Sequence, residues 1–207
     1  SLVLSFAAKR KNNLPGGSRS RTATKERTML MSDSWYKVDN VAKVFLATAS
    51  QRDPRVFRIS CTLNEEIDPD TLNEALRSTA QEWPQFQVTL HRGLFWHYFE
   101  STDQLPTAQP ETKAPCAPLY TPERRNKLIY RVTYFGARIN LEMFHAITDG
   151  NGGLLYLKSI VRNYLALRHP GEMENVPSPN SASAGDMAQD SFRNFYEGTK
   201  RLSLIHI

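Results

Sequence analysis

The residues of this chain with the clearest chemical potential lie in one short turn. His145, Asp149 and Gly150 form a His-x-x-x-Asp-Gly pattern, and Gly152 and Gly153 follow directly. Imidazole titrates near neutral pH, so a positioned histidine accepts a proton from an alcohol, amine or thiol as that group attacks a carbonyl. Such a reaction needs no covalent enzyme intermediate, and His145 is the candidate general base.

The other residues of the turn suggest supporting roles. We expect Asp149 to hold the turn by an ion pair or by backbone hydrogen bonds rather than to touch a substrate. Glycines at 150, 152 and 153 permit positive φ and a close approach of the backbone to a substrate, so they are candidate substrate-binding residues. A histidine at a strand end is often structural, with its ring satisfied by a backbone carbonyl. The exposed glycine-rich turn favours a functional role here.

Two other kinds of catalytic centre lack support in the sequence. A hydrolase triad would need a Gly-x-Ser-x-Gly elbow, and a zinc site would need a second His or Cys at ligand spacing from His145. The two cysteines, Cys61 and Cys116, make neither a disulfide framework nor a metal quartet. We therefore predict free thiols, no bound metal and a reducing, cytoplasmic location.

The turn lies between a predicted strand and a predicted helix. Ile139, Leu141 and Met143 alternate with other residues, which is typical of a strand with one buried face. Apolar residues then recur at helical spacing over residues 154–167, and the Gly152-Gly153 pair would let this helix begin close to the strand. His145 is thus predicted to end the strand, and Asp149 to precede the helix.

Upstream patterns predict a strand over residues 55–63, a helix after Asp68 and Pro69 that stops at Trp83-Pro84, and hairpins over residues 86–99 and 128–143. The alternating aromatics of the first hairpin are expected to be core on one face and cross-strand pairs on the other. Residues 35–48 fit a helix, a strand, or one followed by the other. Residues 101–126 are proline-rich and predict an irregular surface crossing.

These elements predict an α/β fold of the α+β kind. A mixed, largely antiparallel sheet covered by helices fits the hairpins better than a doubly wound parallel sheet. We assign residues 31–170 to one lobe and 1–30 to a disordered basic tail. Residues 171–190 have a linker composition, and 191–207 read as the truncated start of a further element, with a last part resembling translated cloning sequence.

Charge and hydropathy limit the partners. The net charge of +5 arises in residues 1–30, which hold seven Lys/Arg and one Glu, so the remainder carries −1. We therefore predict no nucleic-acid partner for the folded part. No apolar run reaches the roughly 18 residues of a membrane span, so none is predicted.

The segment His145-Ala-Ile-Thr-Asp149-Gly150 resembles the His-x-x-x-Asp-Gly motif of the chloramphenicol-acetyltransferase-like superfamily. That superfamily includes alcohol acetyltransferases, BAHD plant acyltransferases and the condensation domains of nonribosomal peptide synthetases. The resemblance covers residues 32–167 and is closest to bacterial alcohol-acetyltransferase-like and condensation-domain-like proteins. Phe144 stands where many relatives carry a second histidine.

This resemblance implies acyl-CoA-dependent acyl transfer to an alcohol or amine, with His145 as general base and Asp149 as structural partner. Acetyl-CoA or another acyl-CoA would be a cosubstrate, with no bound cofactor. The alternatives are a condensation-type enzyme that uses carrier-protein thioesters, and a non-catalytic lobe. In two-lobed relatives the motif ends the first lobe, and here 57 residues follow Gly150. We thus expect an N-terminal lobe whose site is completed by a second lobe or by self-association.

Overall fold

Two β-sheets and three helices form the part of the chain that the computed structural model describes, residues 2–5, 35–121, 124 and 126–172. The helices are α1 (Asn40–Thr48), α2 (Pro69–Glu82) and α3 (Gly150–Arg168). The strands, in chain order, are β1 (Leu2–Ser5), β2 (Trp35–Lys37), β3 (Val56–Thr62), β4 (Val88–Arg92), β5 (His97–Ser101), β6 (Ala108–Pro110), β7 (Tyr130–Phe135) and β8 (Arg138–Phe144).

The larger sheet has the order β1-β3-β8-β7-β6. Its central strand, β8, pairs antiparallel with both β3 and β7, whereas the outer pairs β1/β3 and β6/β7 are parallel. This arrangement confirms the predicted fold class, a mixed and largely antiparallel sheet covered by helices. The strand that ends at Phe144 is therefore tied on both sides before the candidate turn begins.

Helices α2 and α3 cover one face of this sheet and form the main core with it. Fully buried residues come from both helices and from β8, and each large apolar side chain contributes roughly 1.5–3 kcal/mol by burial: Leu72, Leu76, Tyr156, Ile160, Tyr164, Ile139, Leu141 and Met143. Trp83, also fully buried, donates its Nε1 hydrogen to Ser159 Oγ at 2.9 Å. The two helices are thus joined by a polar contact within an apolar interface.

The limits of α2 follow from local sequence, as predicted. Asp68 caps the helix by accepting a hydrogen bond from the Thr71 amide at 2.8 Å, and Pro69 occupies the first turn. The helix ends at Glu82, and residues Pro84–Phe86 form a short 3-10 turn. Proline lacks an amide hydrogen and does not continue a helix.

The opposite face of the large sheet is polar yet covered. Ser60 donates to Asn140 Oδ1 at 2.8 Å, and Asn140 donates to Thr133 at 3.3 Å, so directly opposite residues of β3, β8 and β7 are joined across the sheet. All three are buried. The predicted alternation of β3 is confirmed, and Ser60 on its polar face is buried against protein, whereas Thr62 at the strand end is exposed.

The smaller sheet, with the order β2-β5-β4, belongs to a second core. This core joins the first strand of the hairpin to α1 and to the end of β8: Val38, Ala42, Val88, Leu90, Leu119, Ile129, Phe144 and Ala146. The hairpin itself was predicted. The expectation for its aromatics was wrong at the tip, because Phe95 and Trp96 lie in the turn and are 83% and 57% exposed.

The region that the sequence left open, residues 35–48, is a strand followed by a helix. Asp39 starts α1 by accepting a hydrogen bond from the Ala42 amide at 2.6 Å. The proline-rich loop contains the three-residue strand β6, which pairs with β7. Among the described residues no helix is long and apolar enough to cross a membrane.

The domain boundaries stay predictions except at one point. Residues 2–5 form β1, which pairs parallel with β3 and therefore differs from the disordered tail expected for 1–30. Residues 6–34 and 173–207, which include nearly all of the predicted linker and the further element, lie outside the described residues.

Candidate active site

The backbone of His145 is fixed at the end of β8. Its amide donates to the Arg55 carbonyl at 2.8 Å, and the preceding Phe144 amide donates to the Ile129 carbonyl at 3.0 Å. These two hydrogen bonds extend the pairing of β8 with its neighbours by one residue on each side. The predicted position of the histidine at a strand end is therefore what the structure has.

The ring of His145 contacts two aromatic side chains. It stacks on Phe45 of α1 with ring centroids 4.3 Å apart and planes 8° apart, and Phe57 of β3 lies 4.9 Å away at 54°. Its Nδ1 atom is buried and makes no hydrogen bond with any described residue. Buried polar atoms in proteins are nearly always paired, so this nitrogen has an unfilled hydrogen-bonding position.

Asp149 closes the first turn of α3. Its side chain accepts a hydrogen bond from the Gly152 amide at 2.8 Å, and its carbonyl accepts one from the Gly153 amide at 3.1 Å. Of the two roles considered from the sequence, an ion pair or backbone hydrogen bonds, the structure has the second. The carboxylate thereby satisfies an amide that a helix start would otherwise leave unpaired.

The three glycines of the turn occupy different environments. A Cβ on Gly153 would lie 2.8 Å from Phe57 Cε2, so the absent side chain lets α3 begin directly against the sheet. Gly152 is buried and donates to the cap, whereas Gly150 is exposed with open space around its Cα. Contact of these glycines with a substrate stays a prediction.

Two residues beside His145 gave no signal in the sequence. Phe45 belongs to a helix that the pattern left ambiguous, and Arg55 has a φ of 54°, in the left-handed region that few non-glycine residues adopt. This conformation places the Arg55 carbonyl where it accepts from the His145 amide. Arg55 pairs with Asp53 at 3.2 Å, and its Nε is buried without a partner among the described residues.

A buried ion network lies on β8 three residues before His145. Glu142 is fully buried and accepts from Arg58 Nε and Arg131 Nε, each at 2.8 Å, and from the Cys116 amide at 2.9 Å. Burial alone would raise the pKa of Glu142, but this amide and the two guanidinium groups bring it below its ordinary value. Its carboxylate is therefore charged at neutral pH and fixes three strands and a loop.

The chemistry available at this site is that of a single imidazole held rigidly at the end of a strand. Among the described residues no group of three or more histidine, cysteine, aspartate or glutamate side chains could hold a metal ion. Cys61 and Cys116 are both free, and burial raises the pKa of each thiol. Neither thiol belongs to the turn, so His145 is the residue of the site suited to proton transfer.

No protein-family model and no curated protein matches the sequence. Solved structures do match the fold. The starter condensation domain of rhizomide synthetase RzmA has a TM-score of 0.53 at 12% identity, covering 66% of this chain and 39% of that chain. This is the fold of a condensation-domain lobe. The epimerization domain from the third module of tyrocidine synthetase B gives a TM-score of 0.53 at 12% identity, covering 71% and 38%.

A third match is a variant of the RzmA domain in complex with C8-CoA, with a TM-score of 0.52 at 12% identity, covering 65% of this chain and 36% of that chain. The chain thus spans about two fifths of the length of these structures. At 12% identity the likeness to these structures is one of fold. The closer resemblance to alcohol acetyltransferases stays a prediction.

Proposed function

We propose that this chain carries the general base of an acyltransferase that transfers an acyl group from a thioester to an alcohol or amine. The observation that carries the proposal is His145 itself. Its backbone is fixed at the end of β8 by the hydrogen bond to Arg55, and its ring packs against Phe45 and Phe57. In a condensation-domain fold, this arrangement suits one proton transfer to and from a substrate.

The proposed reaction needs one base and no covalent intermediate on the protein. His145 takes the proton of the acceptor hydroxyl or amine as its oxygen or nitrogen attacks the thioester carbonyl carbon. The tetrahedral intermediate then collapses, the carbon–sulfur bond breaks, and the imidazolium returns the proton to the leaving thiolate. Asp149 acts on this step only by holding the start of α3, and with it the turn that follows His145.

The donor in this proposal is an acyl-CoA, with acetyl-CoA as the simplest case. The C8-CoA complex of the RzmA domain variant supports an acyl-CoA donor by analogy of fold. The alternative is a thioester on a carrier protein, which the biosynthetic context in the names of these matches favours. Both donors present the same carbonyl and thiolate to His145, so the proposed role of the base does not depend on the choice.

The protein surface that would face His145 across the site is also a proposal. The matched structures extend well beyond the part that aligns with this chain. A second lobe, or a second copy of the chain, would supply the wall that faces His145. If a second copy does so, the specific activity of the purified chain should rise with protein concentration, whereas a covalently linked lobe predicts no such dependence.

The proposal is tested by thiol release. Purified protein with an acyl-CoA and a mixture of alcohols and amines should release free CoA, measured with a thiol reagent. Replacement of His145 by alanine should lower the rate about 10²–10⁴-fold, the usual contribution of a general base. His91→Ala is the matched control, because His91 is bound to Thr89 and Glu100 in the hairpin. Thiol release that is detectable and equal in wild type and His145→Ala would refute the proposal.

A further inference from the structure

A cavity of about 510 Å³ lies beside the end of β8, within the size range of small-molecule sites. Phe144, the residue before His145, forms part of its wall, and Ala49 at the end of α1 forms another part. Ala49 follows Phe45, which stacks on His145, by four residues, a spacing that brings Cβ atoms about 6 Å apart on a helix. The cavity therefore begins about one helical turn from Phe45, the residue that stacks on the candidate base, and His145 itself is not part of its wall.

One wall of the cavity is apolar and aromatic. The rings of Phe144 and Tyr120 are 6.3 Å apart with their planes at 25°, and the ring of His97 meets Tyr120 edge-on at 6.1 Å. Leu46 and Pro118 continue this surface. A hydrocarbon chain or ring placed here would lose its contact with water and gain dispersion contacts.

The hairpin side of the cavity is positively polarised. Arg92 and His97 are directly opposite in the register of β4 and β5, and both line the cavity. Arg92 is exposed and makes no ion pair with a described residue, and the ring nitrogens of His97 make no hydrogen bond with one. None of the lining residues is acidic. An anion at this end would meet two nitrogen donors and no carboxylate.

The protonation of His97 fits this role. Burial lowers the pKa of His97, and the nearby charge of Arg92 lowers it further. At neutral pH the ring is therefore neutral and has one N–H donor. The guanidinium supplies the charge, and the imidazole supplies a second, directional hydrogen bond.

We propose that this cavity binds the acyl acceptor, and that the acceptor is a hydroxy acid or amino acid whose carboxylate is bound by Arg92 and His97. The inference rests on the proposed acyl transfer and names the substrate class of that same site. The hydrocarbon part lies against Tyr120, Leu46 and Pro118, and the hydroxyl or amine to be acylated is at the end of that part remote from the carboxylate, towards the end of β8 where His145 follows Phe144. A guanidinium is the side chain best suited to a carboxylate, because two of its N–H groups match the two oxygens.

The test compares two ligands that differ only in the carboxylate. 3-Phenyllactate and 1-phenylpropan-2-ol have the same ring and hydroxyl, and a methyl group replaces the carboxylate in the second. Calorimetric titration of the complete chain, without acyl donor, should show the hydroxy acid binding at least about tenfold more tightly, as expected for a charge-assisted hydrogen bond.

Variants locate the binding site. Arg92→Gln should reduce the affinity for phenyllactate to that for the alcohol and leave the alcohol unchanged. His97→Phe, which keeps the ring, should lose part of the preference, and Ala49→Trp should exclude both ligands by filling the cavity. Arg77→Gln is the matched control, since Arg77 pairs with Glu74 on α2 and does not line the cavity. Circular dichroism of each variant confirms that it is folded.

Equal affinities for the two ligands, or a carboxylate preference unchanged in both Arg92→Gln and His97→Phe, would overturn the assignment. Its failure is distinguishable from failure of the acyl-transfer proposal. His145-dependent thiol release without any advantage for hydroxy acids would leave the transferase and remove the acceptor site. The expected binding pattern without any thiol release would leave a carboxylate-binding cavity and remove its role as the acceptor site.

Discussion

Replacement of Gly153 by alanine measures how closely α3 is packed on the sheet. The new Cβ would lie 2.8 Å from Phe57 Cε2, 3.0 Å from Phe57 Cζ and 3.3 Å from Met143 Sδ. Carbon atoms pack at about 3.5–4.0 Å, so either the ring or the helix must move by roughly 0.7 Å. The ring has little room, because it also packs against the main core and lies 4.9 Å from the His145 ring.

The size of the effect follows from two opposing terms. Adding a methyl group to a filled core costs about 1–3 kcal/mol, whereas alanine in place of glycine within a helix recovers about 0.5–1 kcal/mol. We therefore expect Gly153→Ala to lower the free energy of unfolding by about 1–2 kcal/mol. Urea denaturation followed by circular dichroism measures this difference directly.

Gly150→Ala is the control within the same turn of the same helix. A Cβ at Gly150 meets nothing within 4 Å, so this variant should be as stable as the wild type or slightly more stable. A second control is Phe57→Leu, which removes the clashing ring atoms. Gly153→Ala should cost less in the Phe57→Leu background than in the wild type, a coupling that a double-mutant cycle measures.

The reasoning would be refuted if Gly153→Ala matched Gly150→Ala in stability, or if its cost were unchanged in the Phe57→Leu background. The first result would mean that the helix has room to shift without loss. The second would mean that the cost arises from another contact.

Two further predictions concern polar groups near the turn. Glu142→Gln removes the charge between Arg58 and Arg131 and should lower the free energy of unfolding by about 3–5 kcal/mol, against about 0.5 kcal/mol or less for Glu74→Gln in an exposed pair. The pKa of Glu142 is lowered in the folded state, so its contribution to the free energy of unfolding is present above the ordinary glutamate pKa of about 4.3 and is lost as pH falls through the folded value. The free energies of unfolding of the wild type and Glu142→Gln, measured by urea titration, should therefore converge at acid pH. A difference that stays constant with pH would contradict this. Asp149→Ala removes the cap of α3 and should cost about 1 kcal/mol by the same measurement, with an Asp149→Ser variant recovering most of it; equal loss in both would indicate a role other than capping.

Local signals predicted most of the elements. The alternation in β3 and β8 and the cap at Asp68-Pro69 depend on residues close in sequence, and the structure has all three where expected. Prediction from local sequence patterns failed where the structure around a residue depends on residues distant in the chain. Residues 35–48 have apolar side chains at spacings that suit either period, so only Asp39 marks where the strand gives way to α1.

The polar side of β8 shows the same limit. Glu142 alternates with apolar neighbours, which predicts a solvent-facing side chain, yet it is fully buried. The Cys116 amide reaches it from the proline-rich loop, and Arg58 and Arg131 reach it from the two adjacent strands. No local pattern encodes that meeting of distant residues. The opposite error occurred at Phe95, where an apolar residue in a turn is exposed.

The candidate site divides in a similar way. His145 and Asp149 stood out because their spacing and the adjacent glycines are visible in the sequence. Phe45, which stacks on the histidine, lies in α1. Arg55, whose carbonyl accepts a hydrogen bond from the His145 amide, directly precedes β3. Neither residue belongs to a recognisable motif. The position of the candidate base at the strand end was therefore predictable, and its immediate surroundings were not.

The pairing of β3 with β8 sets an order of events in the folding of this chain. These neighbouring strands are separated by 84 residues along the chain at the ion pair of Arg58 and Glu142, whereas β7 and β8 form a local hairpin. During synthesis, β3 and α2 are made before β8 and α3, so the apolar side chains of Leu72 and Leu76 are not yet buried at that stage. Contacts at such separation close slowly because the loop entropy must be lost first. The hydrogen bond from the His145 amide to Arg55 continues this pairing, so the position of the candidate base depends on a contact between residues distant in the chain.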